Sequence, residues 1–149
     1  MGRKVEKIQH SAITVKDLEE SVQFYQDFLG LEKVGEIDLS VDQEGFFKGI
    51  DVHIAFLKAG DDELELVEYK TPEAERKNDL KPWDTGAQHI AFKVSELQSL
   101  YTEYKDKIDF LSKPIDYKTE GMHTLWTYLR DPNGAIVEIS EDLMDRFYE

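Results

Sequence analysis

The chain contains no cysteine. That single absence removes disulfides, thiolate nucleophiles, cysteine-ligated zinc and iron–sulfur clusters. Any metal held here must be bound by histidine and carboxylate. Arginine is scarce too, with only Arg3, Arg76, Arg130 and Arg146. Lys plus Arg number 18 against 32 Asp plus Glu, a net charge of −14. A chain this acidic is repelled by phosphate backbones and anionic lipid, so neither nucleic acid nor membrane is an expected partner. Long apolar runs are also missing: no stretch approaches the roughly 20 residues needed to span a bilayer. The N-terminal Met1-Gly2-Arg3-Lys4-Val5-Glu6-Lys7 has charge but no apolar run behind it, unlike a signal peptide. The cytoplasm is the expected compartment.

What remains is a globular composition. The 149 residues are 40% hydrophobic and 11% aromatic, enough for one domain with a sizeable core. The surplus carboxylates read mainly as a solvated surface.

The chain also repeats itself. Ile8-Gln9-His10-Ser11-Ala12-Ile13-Thr14-Val15-Lys16-Asp17-Leu18 matches Ala87-Gln88-His89-Ile90-Ala91-Phe92-Lys93-Val94-Ser95-Glu96-Leu97 as Gln-His-x-Ala-apolar-x-Val-x-x-Leu. Positions 10 and 89 are too far apart for a solenoid repeat, and the spacing indicates two copies of one module. Each copy opens with alternation typical of a strand, over 8–15 and 87–94. His10, Ala12 and Thr14 share one face against Ile13 and Val15; His89 and Ala91 stand against Ile90, Phe92 and Val94. A helix should follow each strand. Asp17 with Glu20 has capping-box spacing, and Leu18, Val22, Tyr25 and Phe28/Leu29 form an apolar stripe that Gly30 stops. Ser95 with Gln98 repeats the box, and Leu97, Leu100/Tyr101 and Tyr104 repeat the stripe.

Each module should end in a hairpin. Val52–Leu57 and Leu64–Tyr69 flank Gly60-Asp61-Asp62, and Thr124–Leu129 and Ala135–Ser140 flank Asp131-Pro132-Asn133-Gly134. One further strand is expected before each hairpin, near 33–40 and 110–117. The result is an α+β fold of two βαβββ modules, about 5–70 and 85–141. Lys70–Thr85, with Pro72 and Pro82, reads as the connector. Residues 141–149 read as a short C-terminal helix or tail able to dock through Leu143, Phe147 and Tyr148.

The repeat brings four polar residues to matched places. His10 and His89 open the modules; Glu65 and Glu138 lie in their last strands, Glu138 between Val137 and Ile139. A carboxylate among apolar strand residues is costly to bury without a partner. Taken singly, each of the four is more simply a surface or hydrogen-bonded residue. Taken together, at equivalent positions of a repeat, they predict a metal site with open positions. The fourth ligand is less fixed, because Glu63 shares the face of Glu65 and Glu68 lies close by. His53-Ile54-Ala55-Phe56 copies His89-Ile90-Ala91-Phe92 letter for letter, but no capped helix follows it. His53 therefore reads as structural or pocket-lining. His123 reads as an exposed loop histidine.

These pieces resemble the vicinal oxygen chelate superfamily, which contains glyoxalase I, methylmalonyl-CoA epimerase, extradiol dioxygenases and drug-resistance proteins. The matching residues are His10-x-Ala-Ile-x-Val-x-Asp-Leu-x-x-Ser-Val-x-Phe-Tyr-x-x-x-Leu-Gly-Leu31, Glu65-Leu66-Val67-Glu68-Tyr69, Gly86-x-x-His89-Ile-Ala-Phe-x-Val94 and Asp131-Pro-Asn-Gly-x-x-Val-Glu138. They span nearly the whole chain. The resemblance implies a curved mixed sheet around one divalent metal, with nickel, cobalt, zinc, manganese and iron all compatible with the donors. It implies a substrate whose adjacent oxygens chelate the metal and whose oxyanion the metal stabilises.

The His/Glu/His/Glu set is similar to that of glyoxalase I, which makes Glu65 and Glu138 candidate acid/base groups as well as ligands. A methylmalonyl-CoA epimerase usually carries an amide at the Glu65 position. An extradiol dioxygenase would use His10, His89 and Glu138, and Tyr128 matches a tyrosine of those enzymes. However, Ala74 falls where their catalytic histidine would be, and Tyr128 reads more simply as a strand aromatic. A non-catalytic drug-binding member would typically lack the ligands. Arg130 is the leading contact for an anionic carrier such as glutathione or CoA. A small-molecule substrate is expected, a neutral one suiting so acidic a chain. So is a homodimer, in which His10 and Glu65 of one chain could meet His89 and Glu138 of the other.

Overall fold

The computed structural model describes residues 2, 4–45, 48–75 and 77–145. The chain divides into two compact units, 1–76 and 77–149, so the boundary falls inside the expected connector. Each unit builds a mixed sheet, and together they give the α+β architecture of paired βαβββ modules.

In the first unit, β1 (Ser11–Val15) leads into α1 (Leu18–Leu29), followed by β2 (Glu32–Val41), β3 (Ile50–Ala59) and β4 (Asp62–Thr71). The sheet order is β1-β4-β3-β2; β1 runs parallel to β4 and the other pairs are antiparallel. Asp17 caps α1 as the spacing predicts, its Oδ1 accepting the Glu20 amide at 2.9 Å. The predicted stripe is buried at Leu18, Val22, Tyr25 and Phe28. Gly30 ends the helix at φ 67, and its amide closes onto the Gln26 carbonyl. α1 covers the face bearing Leu57, Leu64 and Leu66, each at most 2% exposed. The opposite face of the sheet carries Ala12, Glu65 and Phe56.

In the second unit, β5 (His89–Lys93) leads into α2 (Leu97–Tyr104), then β6 (Asp109–Phe110), β7 (Ile115–Thr119), β8 (Met122–Arg130) and β9 (Ile136–Asp142). The order is β5-β9-β8-β6, with β7 also on β8 and β5 parallel to β9. The single strand expected near 110–117 is thus two short ones. Pro114 has no amide proton for the ladder and falls in the gap. Thr127 anchors the break by donating its hydroxyl to the Ser112 carbonyl at 2.8 Å.

The second capping box does not form. α2 starts at Leu97, and its N-cap is Glu96 at φ 55 with no side-chain cap of its own. Instead Glu141, brought from β9, accepts the amides of Glu96 (3.0 Å) and Leu97 (2.9 Å). The first unit has the same device beside its local cap, because Glu68 on β4 accepts the Leu18 amide at 2.7 Å. Of the α2 stripe only Leu97 is fully buried, while Tyr101 meets Phe110 edge-on at 5.0 Å.

Asp131-Pro132-Asn133-Gly134 forms the predicted turn. The Asp131 carboxylate accepts the Asn133 and Ala135 amides, and the Asn78 amide donates to the Asn133 carbonyl. Gly134 is obligatory: at φ 82 it needs the left-handed region, and a Cβ would lie 2.1 Å from the Asn78 carbonyl oxygen. The C-terminal helix is not found among the described residues. Glu141 and Asp142 extend β9 and a bend follows, because the Leu143 amide pairs with the His123 carbonyl along β8. Leu143 is 45% exposed and does not dock. Phe147 and Tyr148 lie outside the described residues, as do Arg3, Arg76 and Arg146.

Candidate metal centre

Strand register brings each histidine to its glutamate. In the first unit Ala12 stands opposite Glu65, and His10, two residues earlier, points the same way from just before β1. His10 Nε2 lies 3.4 Å from Glu65 Oε2. In the second unit Ala91 stands opposite Glu138, and His89, the first residue of β5, places its Nε2 3.0 Å from Glu138 Oε2. The carboxylates are each 18% exposed, whereas the imidazoles are 36% and 39% exposed. Each pair therefore offers donor atoms at the surface of a sheet face from a partly sheltered root.

The same register decides between Glu63 and Glu65 as the equivalent of Glu138. Glu65 alone pairs with the alanine two residues beyond its histidine, as Glu138 does. Glu63 sits opposite Lys58, with 3.9 Å between Glu63 Oε2 and Nζ. Glu68 lies on the helix side, capping α1 and paired with Lys70.

The donors suit a metal. With bonds of about 2.1 Å to nitrogen and oxygen, two ligands at a right angle lie about 3.0 Å apart, and two at the tetrahedral angle about 3.4 Å. The observed His–Glu separations are 3.4 and 3.0 Å. His10 Nδ1 lies 3.0 Å from Gln9 Oε1. With its proton donated there, Nε2 keeps a lone pair for a cation. Each pair by itself offers two donor groups of the expected four. Among the described residues, no three His, Asp or Glu side chains stand close enough together to hold a metal ion.

Other residues resolve differently. His53 falls opposite Glu68 and Asp38 on the helix side, 3.8 Å from Glu36 Oε2, so it does not share the face of Glu65. His123 is no loop residue: it lies in β8 and its Nε2 is 2.9 Å from Asp116 Oδ1. Ala74, in the connector, accepts Lys16 Nζ through its carbonyl at 3.3 Å.

Arg130 is engaged by backbone. Its guanidinium donates to the carbonyls of Gly134 and Leu80, each at 2.7 Å, and ties the connector to the β8–β9 turn.

Tyr128 lies beside the second His–Glu pair. It stands opposite Glu138 in the β8–β9 ladder, its ring centroid 5.0 Å from that of His89 and 5.1 Å from that of Trp126. Burial raises its phenol pKa above the usual value, and the Glu138 charge adds to the rise. The signal available in sequence was its even spacing from Glu138 across the turn.

Comparison with known proteins decides the family. Residues 7–139 match the model of the Glyoxalase/Bleomycin resistance protein/Dioxygenase superfamily. The chain belongs to this superfamily. Its relatives include a mitochondrial methylmalonyl-CoA epimerase of Bos taurus, 26% identical over 91% of this chain and 74% of that protein. A 2-epi-5-epi-valiolone epimerase of Actinomyces is 27% identical over 89% of this chain and 77% of that one. The fold matches a glyoxalase family protein from Bacillus cereus with a TM-score of 0.79 at 19% identity, covering 95% of this chain and 97% of that one. Members of the superfamily typically bind a divalent metal, and they include epimerases and glyoxalases. In this member of the superfamily, no helix among the described residues is long and apolar enough to cross a membrane.

Proposed function

We propose that this protein is a metal-dependent isomerase or lyase of the glyoxalase I kind, moving a proton between adjacent carbons next to a carbonyl. One observation carries the reading: the same His–Glu pair recurs at the same register in both units. His10, Glu65, His89 and Glu138 would hold the ion, and their donors suit any of the divalent metals named above. Bound there, it would act as Lewis acid toward an enediolate formed on two neighbouring substrate oxygens.

The chain's own part is proton transfer. A carboxylate at Glu65 or Glu138 takes the proton from the carbon next to the carbonyl and returns it to the neighbouring carbon. Two carboxylates on separate sheets give the site two candidate bases, which suits either isomerisation or inversion of a stereocentre. The epimerase names among the relatives favour inversion as the second reading. The four ligands come together either from the two units of one chain or from two chains of a homodimer.

The test is metal content, by elemental analysis after purification without chelator, together with turnover of 2-oxoaldehyde thiohemiacetals and acyl-CoA epimers. A stoichiometric metal lost in Glu138→Ala supports the site. A native chain that takes up no nickel, cobalt, zinc or manganese sinks it and leaves a small-molecule binding protein. Co-expression of His10→Ala with His89→Ala distinguishes the assemblies. Activity returns only if one site draws ligands from two chains, because a mixed dimer then holds one complete set.

A further inference from the structure

Asn133-Gly134 is a chemically labile pair built into the β8–β9 turn. Glycine has no Cβ to crowd its own amide, so that nitrogen can approach the asparagine side chain before it. Once the Gly134 amide loses its proton to hydroxide, its nitrogen attacks Asn133 Cγ. The N–Cγ bond forms as the Cγ–Nδ2 bond breaks, and ammonia leaves after taking a proton from water. Water then opens the cyclic imide at either carbonyl, leaving aspartate or isoaspartate at position 133. Water and hydroxide are the only co-reactants.

The folded turn engages the groups this step needs. The Gly134 amide donates to the Asp131 carbonyl at 3.0 Å, so the nucleophile's proton is held. The carbonyl of the same peptide, that of Asn133, accepts the Asn78 amide at 3.1 Å, which fixes the peptide plane from its other side. Asn133 Nδ2 donates to Asp131 Oδ2 at 3.3 Å and ties the carboxamide to that side chain. Asn133 and Asp131 are 9% and 5% exposed, so hydroxide and water have little access. Attack on Cγ requires the peptide to turn, and turning it breaks both backbone bonds in a buried place.

We infer that Asn133 is a deamidation site that the closed turn silences and that converts only when the turn opens. Conversion also hinders reclosure. Aspartate at this position would put a carboxylate oxygen where Nδ2 now donates to Asp131, and two buried like charges repel. Isoaspartate would add a methylene to the main chain of a turn fitted around Asp131 and Asn78. Ile136, two residues after Gly134, begins β9, so the loss is felt at the start of the strand that carries Glu138.

Asn78, the chain's other asparagine, is an internal comparison: it is exposed and is followed by Asp79, whose side chain crowds the attacking nitrogen. The full chain is held in mildly alkaline buffer, folded and in guanidinium chloride. Peptide mapping by mass spectrometry follows both asparagines, and an isoaspartyl methyltransferase marks the isoaspartate. In denaturant Asn133 should convert faster than Asn78. Folding should slow Asn133 at least about tenfold and slow Asn78 less. The Gly134 amide should show hydrogen-exchange protection of a similar factor, because one opening exposes it to both reactions. Equal rates at Asn133 with and without denaturant overturn the inference, as does equal slowing of both asparagines or an unprotected Gly134 amide. Asp131→Asn weakens the acceptors of the turn and should raise Asn133 conversion in the folded chain several-fold. It adds no labile site of its own, since Pro132 has no amide proton to lose. An unchanged rate in this variant counts against the turn as the restraint.

Discussion

The two His–Glu pairs share a backbone plan and differ in what surrounds it. Glu65 faces a phenyl ring, Phe56, across the β3–β4 ladder; Glu138 faces a phenol, Tyr128, across β8–β9. His10 lies just outside its strand and leans on Gln9, whereas His89 lies within β5 with its ring tilted against that of Tyr128. The first helix has a local cap and a carboxylate from β4; the second relies on its carboxylate from β9 alone. A duplicated scaffold fixes where donors stand, because parallel register repeats itself. The neighbours set how each donor behaves, and nothing in the scaffold requires them to match.

The proposed ligands give the largest expected effect. Glu65→Gln and Glu138→Gln should each lower turnover of the responsive substrate by roughly 10²–10⁴-fold and cost the bound metal. Full metal content in Glu65→Gln would break the equivalence and reduce the site to the second pair. Stability is the next contrast. Gly134→Ala forces a Cβ onto the Asn78 carbonyl in a left-handed turn and should cost roughly 3–5 kcal/mol. Gly30→Ala meets open space at φ 67 and should cost about 1–2 kcal/mol. Urea unfolding of the two variants checks this, and equal costs would contradict the close approach at Gly134.

The helix caps sharpen the comparison further. Glu141→Ala removes both acceptors at the start of α2 and should cost about 2 kcal/mol; Glu68→Ala leaves the Asp17 cap in place and should cost about 1 kcal/mol. A larger loss for Glu68→Ala would mean that the Lys70 contact matters more than the cap. The smallest effect is at Tyr128. In the metal-free chain its phenol should ionise above its ordinary value of 10.0, through burial first and the Glu138 charge second. A folded pKa above the unfolded one means that the associated stability is present below about pH 10 and fades as pH rises through the folded value. The ultraviolet titration difference between the native chain and Tyr128→Phe isolates this group. Glu138→Gln should bring its midpoint part of the way back, since burial persists; no movement would remove the charge as a cause.

Much of this was legible in the sequence because it rests on local periodicity. The Gln-His-x-Ala repeat, the Asp17 cap, the α1 stripe and the Asp131–Gly134 turn all depend on neighbours within a few positions. The split at Pro114 was legible too, but strand averaging over 110–117 hid it. The second capping box failed because Ser95 competes with a carboxylate 46 residues away in sequence, at Glu141. The contacts of Arg130 were hidden for the same kind of reason: the Leu80 carbonyl that accepts from it lies 50 residues away.

The sequence by itself determined which residues could be donors. An absence of cysteine left only His and carboxylate, and alternation put His10 and Ala12, or His89 and Ala91, on one face. Tertiary structure alone decided which carboxylate each histidine meets. Glu63, Glu65 and Glu68 are close in sequence, and only the parallel pairing of Ala12 with Glu65 selects among them. The physical reason is the two-residue period of the strand: it names a face locally, but the hydrogen-bond register that aligns two distant strands is set by their packing against the core.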